Sequence, residues 1–368
     1  MGRRLTVAQL LPALDAGGVE HSTLEIADAL VRAGHRALVV SAGGRLVAPL
    51  RALGAEHVPL DIGHKSPWTL RHVAALRRLF AQEAVDIVHA RSRLPAWLAR
   101  FALRGMATPP RLVTTVHGLN SPSRYSAVMA SGERVICVSR TVRDYVLQHY
   151  PHVDAARLRV VPRGIDPARF PRVPWPDRAA RRRVVAVHPA LAGDGPLLLM
   201  PGRGTRLKGH GDALRLLGAL RADGTDARLW LAGARQAGRD AYLRELRDAA
   251  TRHGIADAVA ITPPTAAMAE AYAACDLVLQ LSRKPEAFGR TVVEGLSVGR
   301  PVLGWAHGGV GELLDALQPD GAVPPFDEAA LQARARVLLA GPPSPPGAFP
   351  DTLRAMQDAT LAIYDELA

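Results

Sequence analysis

Short apolar runs alternate with longer amphipathic segments along the first part of the chain. Continuous apolar runs of this length are typical of buried parallel strands, and an apolar period near 3.6 residues predicts helices between them. The predicted strands cover residues 5–11, 37–41, 85–89, 111–116, 134–138 and 158–161. The predicted helices cover residues 20–33, 69–82, 95–103 and 140–150, the last with Ser139 as N-cap. This alternation predicts a βα winding.

Residues 162–176 contain five prolines and interrupt the alternation, and a polar, Arg-rich helix follows them. The second series of predicted strands covers residues 197–201, 228–232, 258–262, 277–281 and 301–304. The second series of helices covers residues 211–222, 239–253, 266–274, 291–298 and 328–340. A proline-rich bridge at 341–350 leads to a last amphipathic helix at 351–367. The pattern therefore predicts two α/β domains, residues 1–168 with 351–368 and residues 169–350.

The composition narrows the class of protein. With 368 residues and 48% hydrophobic residues, each domain has enough apolar side chains for its own core, and no apolar run reaches the length of a membrane span. The net charge of +12 favours polyanionic partners, but the arginines are dispersed and only 5% of residues are aromatic, so nucleic acid is not an expected partner. Cys137 and Cys275 are far apart and form no metal or disulfide pattern, which favours the reducing cytoplasm.

The loop after the predicted strand 277–281 is the richest in functional groups. Ligands of doubly wound sheets bind at the carboxyl ends of the strands, where loops and helix N-termini meet. Here Gly289 precedes a helix whose free N–H groups, at Arg290 and Thr291, can hold a phosphate. Glu286 lies in the loop and Glu294 about one turn into the helix, so the two carboxylates can bind different hydroxyl groups of one ligand. A solvated helix position remains the alternative for Glu294.

The loop at 202–209 places Arg203 five residues before Lys208. Its Lys-Gly order is the reverse of the Walker sequence, and no third glycine completes a dinucleotide fingerprint. These observations exclude a P-loop and leave either a cationic pair that converges on a diphosphate or two solvated cations.

Three loops of the first half carry further candidates. Gly17 and Gly18 join a strand to a helix, where a phosphate can approach the backbone or a tight turn can form. His117 ends a strand and is either a ligand-binding or a structural histidine. Arg91 and Arg93 follow another strand, and we expect both guanidiniums to face the same cleft.

Taken in this order, these loops resemble those of the GT-B glycosyltransferases, in particular the retaining family 4, also called glycosyl transferases group 1. The segment 282–302, with its E-x7-E core, F-G inside and G-x-P-V after it, resembles the family's donor-site signature. The resemblance implies two Rossmann-like domains that face each other across a cleft, with the C-terminal helix packed back on the N-terminal domain. Arg163 departs from the Asn that the family usually has in a P-N-G-I-D run.

The resemblance also implies roles for particular residues. Arg203 and Lys208 would bind the donor diphosphate, Glu294 the ribose, and Glu286 the transferred sugar. The donor site would also include Ala287, Phe288, Gly289, Arg290 and Thr291. His117 would contact the sugar near the reacting centre and, with Glu286, Arg203 and Lys208, would form the catalytic set. Gly17, Gly18, Arg91 and Arg93 would lie on the acceptor side.

The expected reaction is the retaining transfer of a hexose or N-acetylhexosamine from a nucleotide sugar, with UDP as the expected nucleotide. No two aspartates are two residues apart, as a D-x-D metal site would require, so we expect neither a metal nor a cofactor. The positive charge favours an anionic acceptor, such as lipopolysaccharide core or a lipid-linked saccharide, and peripheral contact of the protein with the cytoplasmic face of the inner membrane. Two alternatives stay open: a nucleotide-sugar epimerase on the same fold, and a non-catalytic basic protein that binds a nucleotide sugar or nucleic acid.

Overall fold

A computed structural model of the chain describes residues 3–15, 17–341, 344, 346–347 and 349–368. The chain folds into two compact units, which we call the N-terminal unit (Met1–Gly164 with Leu353–Ala368) and the C-terminal unit (Ile165–Thr352). The predicted domain boundaries, 168 and 350, lie near these positions. Residues 342, 343, 345 and 348 of the predicted proline-rich bridge lie outside the described residues.

Within the described residues, the N-terminal unit contains a parallel sheet of seven strands in the order β3-β2-β1-β4-β5-β6-β7. The strands are β1 (Thr6–Leu10), β2 (Arg36–Ser41), β3 (Glu56–Pro59), β4 (Ile87–Ala90), β5 (Arg111–Val116), β6 (Arg134–Cys137) and β7 (Leu158–Val160). Every residue of β4 is buried, because the strand lies in the middle of a sheet that is covered on both faces.

Helices connect these strands: α1 (Gly18–Arg32), α2 (Val47–Ala52), α3 (His72–Gln82), α4 (Arg93–Leu103) and α5 (Arg140–His149). The 3₁₀ turns Pro67–Arg71 and Ser126–Ala130 lie in the loops. As predicted, Ser139 caps α5, because its hydroxyl oxygen accepts a hydrogen bond of 3.1 Å from the Val142 amide.

The C-terminal unit repeats this plan with six described parallel strands in the order β10-β9-β8-β11-β12-β13. The strands are β8 (Leu197–Leu199), β9 (Arg228–Ala232), β10 (Val259–Thr262), β11 (Leu277–Gln280), β12 (Val302–Trp305) and β13 (Ala322–Val323). The helices are α6 (Arg178–Val187), α7 (His210–Ala222), α8 (Asp240–Arg252), α9 (Met268–Ala274), α10 (Arg290–Val298), α11 (Gly308–Leu317) and α12 (Glu328–Ala340). The two parallel-sheet units confirm the predicted α/β fold class.

The last helix, α13 (Leu353–Leu367), packs on the N-terminal unit. Met356, Ile363 and Tyr364 enter its core. The Tyr364 hydroxyl lies 2.6 Å from Nδ1 of His89, whose Nε2 lies 2.6 Å from Oγ1 of Thr115. Burial lowers the pKa of His89 well below its usual value, so the ring is neutral and joins α13 to strands β4 and β5.

The sequence did not predict β3, β13, α2 or α11. Strand β3 lies at a sheet edge and none of its residues is buried, so it lacks an apolar run. Helix α11 begins Gly-Gly-Val-Gly, a composition typical of loops, although its glycines allow it to pack closely on the loop after β11. Among the described residues, no helix is long and apolar enough to cross a membrane.

Candidate functional site

In the C-terminal unit, side chains from two loops meet at the carboxyl end of the sheet. Lys208 ends the 3₁₀ turn that follows β8, and Glu286 lies in the loop that follows β11. The Lys208 ammonium lies 2.6 Å from Oε1 of Glu286, and each side chain is 25% exposed. One bond to Glu286 leaves two donors of the ammonium for a ligand. Residues 78 positions apart in the sequence thus form one charged pair.

Gly209 explains how the two loops come so close. Its φ of +81° lies in the left-handed region, and an added Cβ would lie 1.9 Å from the carbonyl oxygen of Leu281. Nearby, the Arg283 amide donates a hydrogen bond of 2.8 Å to the Leu207 carbonyl. Only glycine fits at position 209, so the approach of the loops depends on this residue.

Glu286 is fixed on two sides. The hydroxyl of Ser282 donates a hydrogen bond to Oε1 of Glu286. The N-terminus of α11 holds the backbone, since the Gly309 amide donates 2.7 Å to the Glu286 carbonyl. His307, the residue before α11, places its Nε2 2.8 Å from the Ser282 carbonyl. Sequence reasoning missed α11 as a support of the site because its glycines resemble a loop.

Asp212 ties α7 to the same loop. The carboxylate is 2% exposed, and its Oδ1 accepts 2.6 Å from Arg283 and a further hydrogen bond from Arg215. The Arg283 guanidinium also stacks 4.9 Å from the ring centroid of Phe326. Asp212 was not a sequence candidate, although an acid in the first turn of a helix that follows a site loop is a usable signal.

Glu294 is not the solvated helix residue of the alternative interpretation. The hydroxyl of buried Tyr272 donates 2.9 Å to its Oε2. Burial, and next the Glu294 charge, raise the pKa of Tyr272 well above its usual value, so the phenol remains a donor. Helix α10 begins at Arg290 and Thr291, with Gly289 as an N-cap that has no capping side chain. Before it, Ala287 is half-buried and Phe288 is buried at 8% exposure.

Arg203 differs from Lys208. It lies in the same loop after β8, but it is exposed and makes no ion pair with any residue that the structure describes. The structure therefore brings Lys208, Glu286 and the start of α10 into one short stretch of surface, and leaves the guanidinium of Arg203 in solvent at its edge.

The N-terminal unit has its own pocket of about 320 Å³ at the carboxyl ends of β1, β4 and β5. Lys65, Arg93, His117 and Tyr125 are among its lining residues. Nδ1 of His117 contacts the guanidinium of Arg163, which is 7% exposed. A guanidinium can only donate, so Nδ1 accepts and the ring proton lies on Nε2. Arg163, the departure from the family pattern, thus orients His117.

Arg91 and Arg93 both line the pocket, as expected from their shared loop, but the guanidinium of Arg91 is hydrogen-bonded inside the unit. Arg91 is 3% exposed and donates 3.0 Å to Oε1 of Gln9 and 3.1 Å to the hydroxyl of Ser22. Burial lowers the pKa of Arg91 to about 10. Arg93 is half-buried, and its guanidinium stacks 5.3 Å from the ring centroid of Tyr125, another lining residue of the pocket.

Gly17 and Gly18 lie where α1 starts. Gly17 is the N-cap, without a capping side chain, and Gly18 is the first helical residue. Val19, the next residue, lines the pocket, whereas neither glycine is among its lining residues. The two glycines therefore lie beside the pocket, and Val19 is the residue of the helix start that lines it.

Comparison with known families matches both halves of the chain. The model "Glycosyltransferase Family 4" matches residues 16–169, and "Glycosyl transferases group 1" matches residues 186–346. The chain belongs to the family 4, group 1 glycosyltransferases. This confirms the resemblance inferred from the loops.

A curated relative of this glycosyltransferase, D-inositol 3-phosphate glycosyltransferase of Xylanimonas cellulosilytica, is 31% identical over 185 residues. The match spans 50% of this chain and 43% of that protein.

Solved structures show the same fold over the whole chain. A glycosyltransferase from Rickettsia africae has a TM-score of 0.86 at 24% identity, with 100% of this glycosyltransferase and 99% of that chain covered. The Anabaena protein HepE, in complex with UDP and glucose, has a TM-score of 0.76 at 20% identity, with 99% and 95% covered. Both likenesses identify the GT-B fold.

Proposed function

We propose that this glycosyltransferase moves a hexose or N-acetylhexosamine from a UDP-sugar to an anionic glycan or glycolipid, with retention of the anomeric configuration. The observation that carries the proposal is the Lys208–Glu286 pair, which lies just before the N-terminus of α10. A cation and the backbone N–H groups of a helix N-terminus suit the diphosphate of such a donor, and a carboxylate suits its sugar hydroxyls. HepE, which was solved with UDP and glucose, supports the donor class.

Each residue of the proposed site has a separate role in cleavage of the donor. As the bond between the sugar and the diphosphate breaks, negative charge develops on the leaving oxygen, and Lys208, Arg203 and the start of α10 stabilise it. Glu286 binds sugar hydroxyls and also keeps the ammonium of Lys208 in place. Glu294, oriented by Tyr272, binds the ribose. In the N-terminal unit, Nε2 of His117 donates a hydrogen bond to the sugar. The protein's own cations supply the charge, so we infer that no metal ion is required.

The acceptor side of the proposal rests on the pocket of the N-terminal unit. Lys65, Arg91 and Arg93 line it, and its described lining residues include no Asp or Glu, which favours an acceptor with a phosphate or carboxylate. The curated relative is named for a phosphorylated compound, D-inositol 3-phosphate, which supports this class. Lipopolysaccharide core and lipid-linked saccharides at the inner membrane are acceptors of this kind.

The experiment is the replacement of Lys208 by alanine. We expect Lys208→Ala to lower kcat/KM for UDP-sugar turnover by roughly 30- to 1,000-fold, since a charge-stabilising donor contributes about 2–4 kcal/mol. Arg206→Ala is the matched control, because it removes an exposed cation from the same 3₁₀ turn and should leave turnover within a few-fold. A folded Lys208→Ala protein with wild-type turnover would refute the donor site.

Two further readouts test the class of reaction. With a donor panel of UDP-, GDP- and ADP-sugars, release of free nucleotide identifies a transferase, whereas a changed sugar on an intact nucleotide would identify an epimerase. Turnover should persist in EDTA, and the linkage formed from an α-linked donor should be α by NMR. Loss of activity in EDTA would overturn the inference that no metal ion is required. A β-linked product would overturn the proposal that the anomeric configuration is retained.

A further inference from the structure

Positive charge is concentrated in one segment of the N-terminal unit. Residues 62–132 contain ten Lys or Arg but only two acids, Glu83 and Asp86. This segment of 71 residues carries a net charge of +8, against +12 for the whole chain of 368. The excess is therefore local, and it surrounds the loops that form the pocket of the N-terminal unit.

Large apolar side chains are exposed in the same segment. Trp68 is 78% exposed and Leu70 is 54% exposed, although tryptophan and leucine are residues that folded chains usually bury. Both belong to the 3₁₀ turn Pro67–Arg71. A third exposed apolar residue, Tyr125, is 39% exposed and follows exposed Arg124.

The turn is anchored so that it presents these side chains outward. Between Trp68 and Leu70, Thr69 is 4% exposed and donates a hydrogen bond of 2.6 Å to the His64 carbonyl. Ser66 caps the turn by accepting 3.3 Å from the Trp68 amide. With Thr69 held inside, its two apolar neighbours face solvent. Their exposure therefore follows from a fixed conformation of the turn.

Cations extend this surface along α3. Arg71, Ala74 and Arg78 are exposed at a spacing that places them on one side of the helix. Neither arginine forms an ion pair with a carboxylate in the part of the chain that the structure describes. We call Trp68, Leu70, Arg71 and Arg78 the Trp68 face.

We propose that the Trp68 face docks this protein on the surface of an anionic lipid bilayer. An aromatic ring and an aliphatic side chain among unpaired cations are the combination that enters the boundary between headgroups and acyl chains. Nucleic acid fits less well, since Leu70 offers no ring for base stacking. Lys65, three residues before Trp68, lines the pocket, and so does Tyr125, so docking sets the pocket of the N-terminal unit close to the lipid headgroups.

The test is co-sedimentation with vesicles of phosphatidylcholine, with and without about one third phosphatidylglycerol. We expect the protein to bind the anionic vesicles and not the neutral ones. Arg71→Gln with Arg78→Gln should lower binding about 25-fold, at about five-fold for each cation. Trp68→Ala with Leu70→Ala should lower it by about ten-fold or more.

The matched control is Arg182→Gln with Val187→Ala, which removes an exposed cation and an apolar residue, 71% exposed, from α6 of the C-terminal unit. It should bind vesicles as the wild type does. We call the two double variants of the Trp68 face the Trp68 variants. The proposal would be overturned if they bound anionic vesicles as well as the wild type does, or if the control lost as much vesicle binding as they do. It would also be overturned if the Trp68 variants lost more affinity for a single-stranded oligonucleotide than for vesicles.

The orientation of the pocket toward lipid rests on the proposed function, but the docking test does not. Vesicle binding needs neither donor nor acceptor, and the Trp68 face contains none of the proposed catalytic residues. We therefore expect the Trp68 variants to release nucleotide from a soluble UDP-sugar, without vesicles, at the wild-type rate. Loss of donor turnover with intact vesicle binding would refute the proposed function alone.

Discussion

His210 provides a test of the packing behind the Lys208 loop. The ring begins α7, is 0% exposed and lies 3.1 Å from the Tyr242 hydroxyl at Nδ1. Burial, assisted by the nearby Lys208 charge, lowers the pKa of His210 to about 4. The unfolded chain, with a pKa near 6.5, binds the proton first as the pH falls. The stabilisation is therefore complete above about pH 6.5 and is lost as the pH falls toward 4.

The size of this effect follows from the two pKa values. Each pH unit between them is worth about 1.36 kcal/mol, so lowering the pH from about 7.5 to 4.5 should cost about 2.5 kcal/mol at this residue alone. His210→Asn keeps a polar group near Tyr242 but does not titrate. We therefore expect the variant to lose about 2.5 kcal/mol less than the wild type between the two pH values, whatever its stability at neutral pH.

Urea unfolding at both pH values measures the difference. The fluorescence of Trp230 and Trp305, which are 4% and 0% exposed in the C-terminal unit, reports the transition. His253→Asn, which removes an exposed imidazole from the same unit, should retain the full acid loss of the wild type. The same acid loss in His210→Asn and the wild type would show that His210 does not carry the effect and would refute the assigned burial.

Three further changes test the donor site. Glu286→Ala should abolish most sugar transfer while calorimetry still detects UDP binding, because this carboxylate is assigned to the sugar; equal loss of both would mean a wrong assignment. Tyr272→Phe should weaken UDP binding by roughly ten-fold, since Glu294 loses a charge-assisted hydrogen bond; unchanged affinity would contradict the ribose role. Gly209→Ala should lower the melting temperature and turnover together, because the left-handed φ costs about 1–2 kcal/mol and Leu281 blocks the Cβ; wild-type turnover would show that the loops tolerate separation.

The sequence alone predicted the central strands and the order of the site loops, because buried parallel strands leave continuous apolar runs and glycine-rich loops end them. It could not predict edge strand β3, whose residues are not buried, or α11, whose glycines serve close packing. The conformation of these elements depends on contacts with residues that are distant in sequence. The local composition therefore does not predict it.

The same limit applies to the site. Residue types indicated Lys208 and Glu286, but their pairing across 78 positions is a product of the fold. Arg91 and Arg93 look equivalent in sequence and both line the pocket, yet Arg91 is 3% exposed whereas Arg93 is only half-buried. A strand end followed by two arginines does not specify which side chain turns inward. Likewise, nothing local to His117 shows that Arg163 orients it.

The placement of α13 has a consequence for how the protein is made. On the ribosome, the strands of the N-terminal unit emerge first, but the helix that supplies Met356, Ile363 and Tyr364 to their core emerges after every residue of the C-terminal unit. The later half can therefore finish folding first, while the earlier half keeps an apolar groove open during translation. Until α13 arrives, His89 lacks its Tyr364 partner, and a nascent chain halted before Leu353 is the form most exposed to chaperones and proteases.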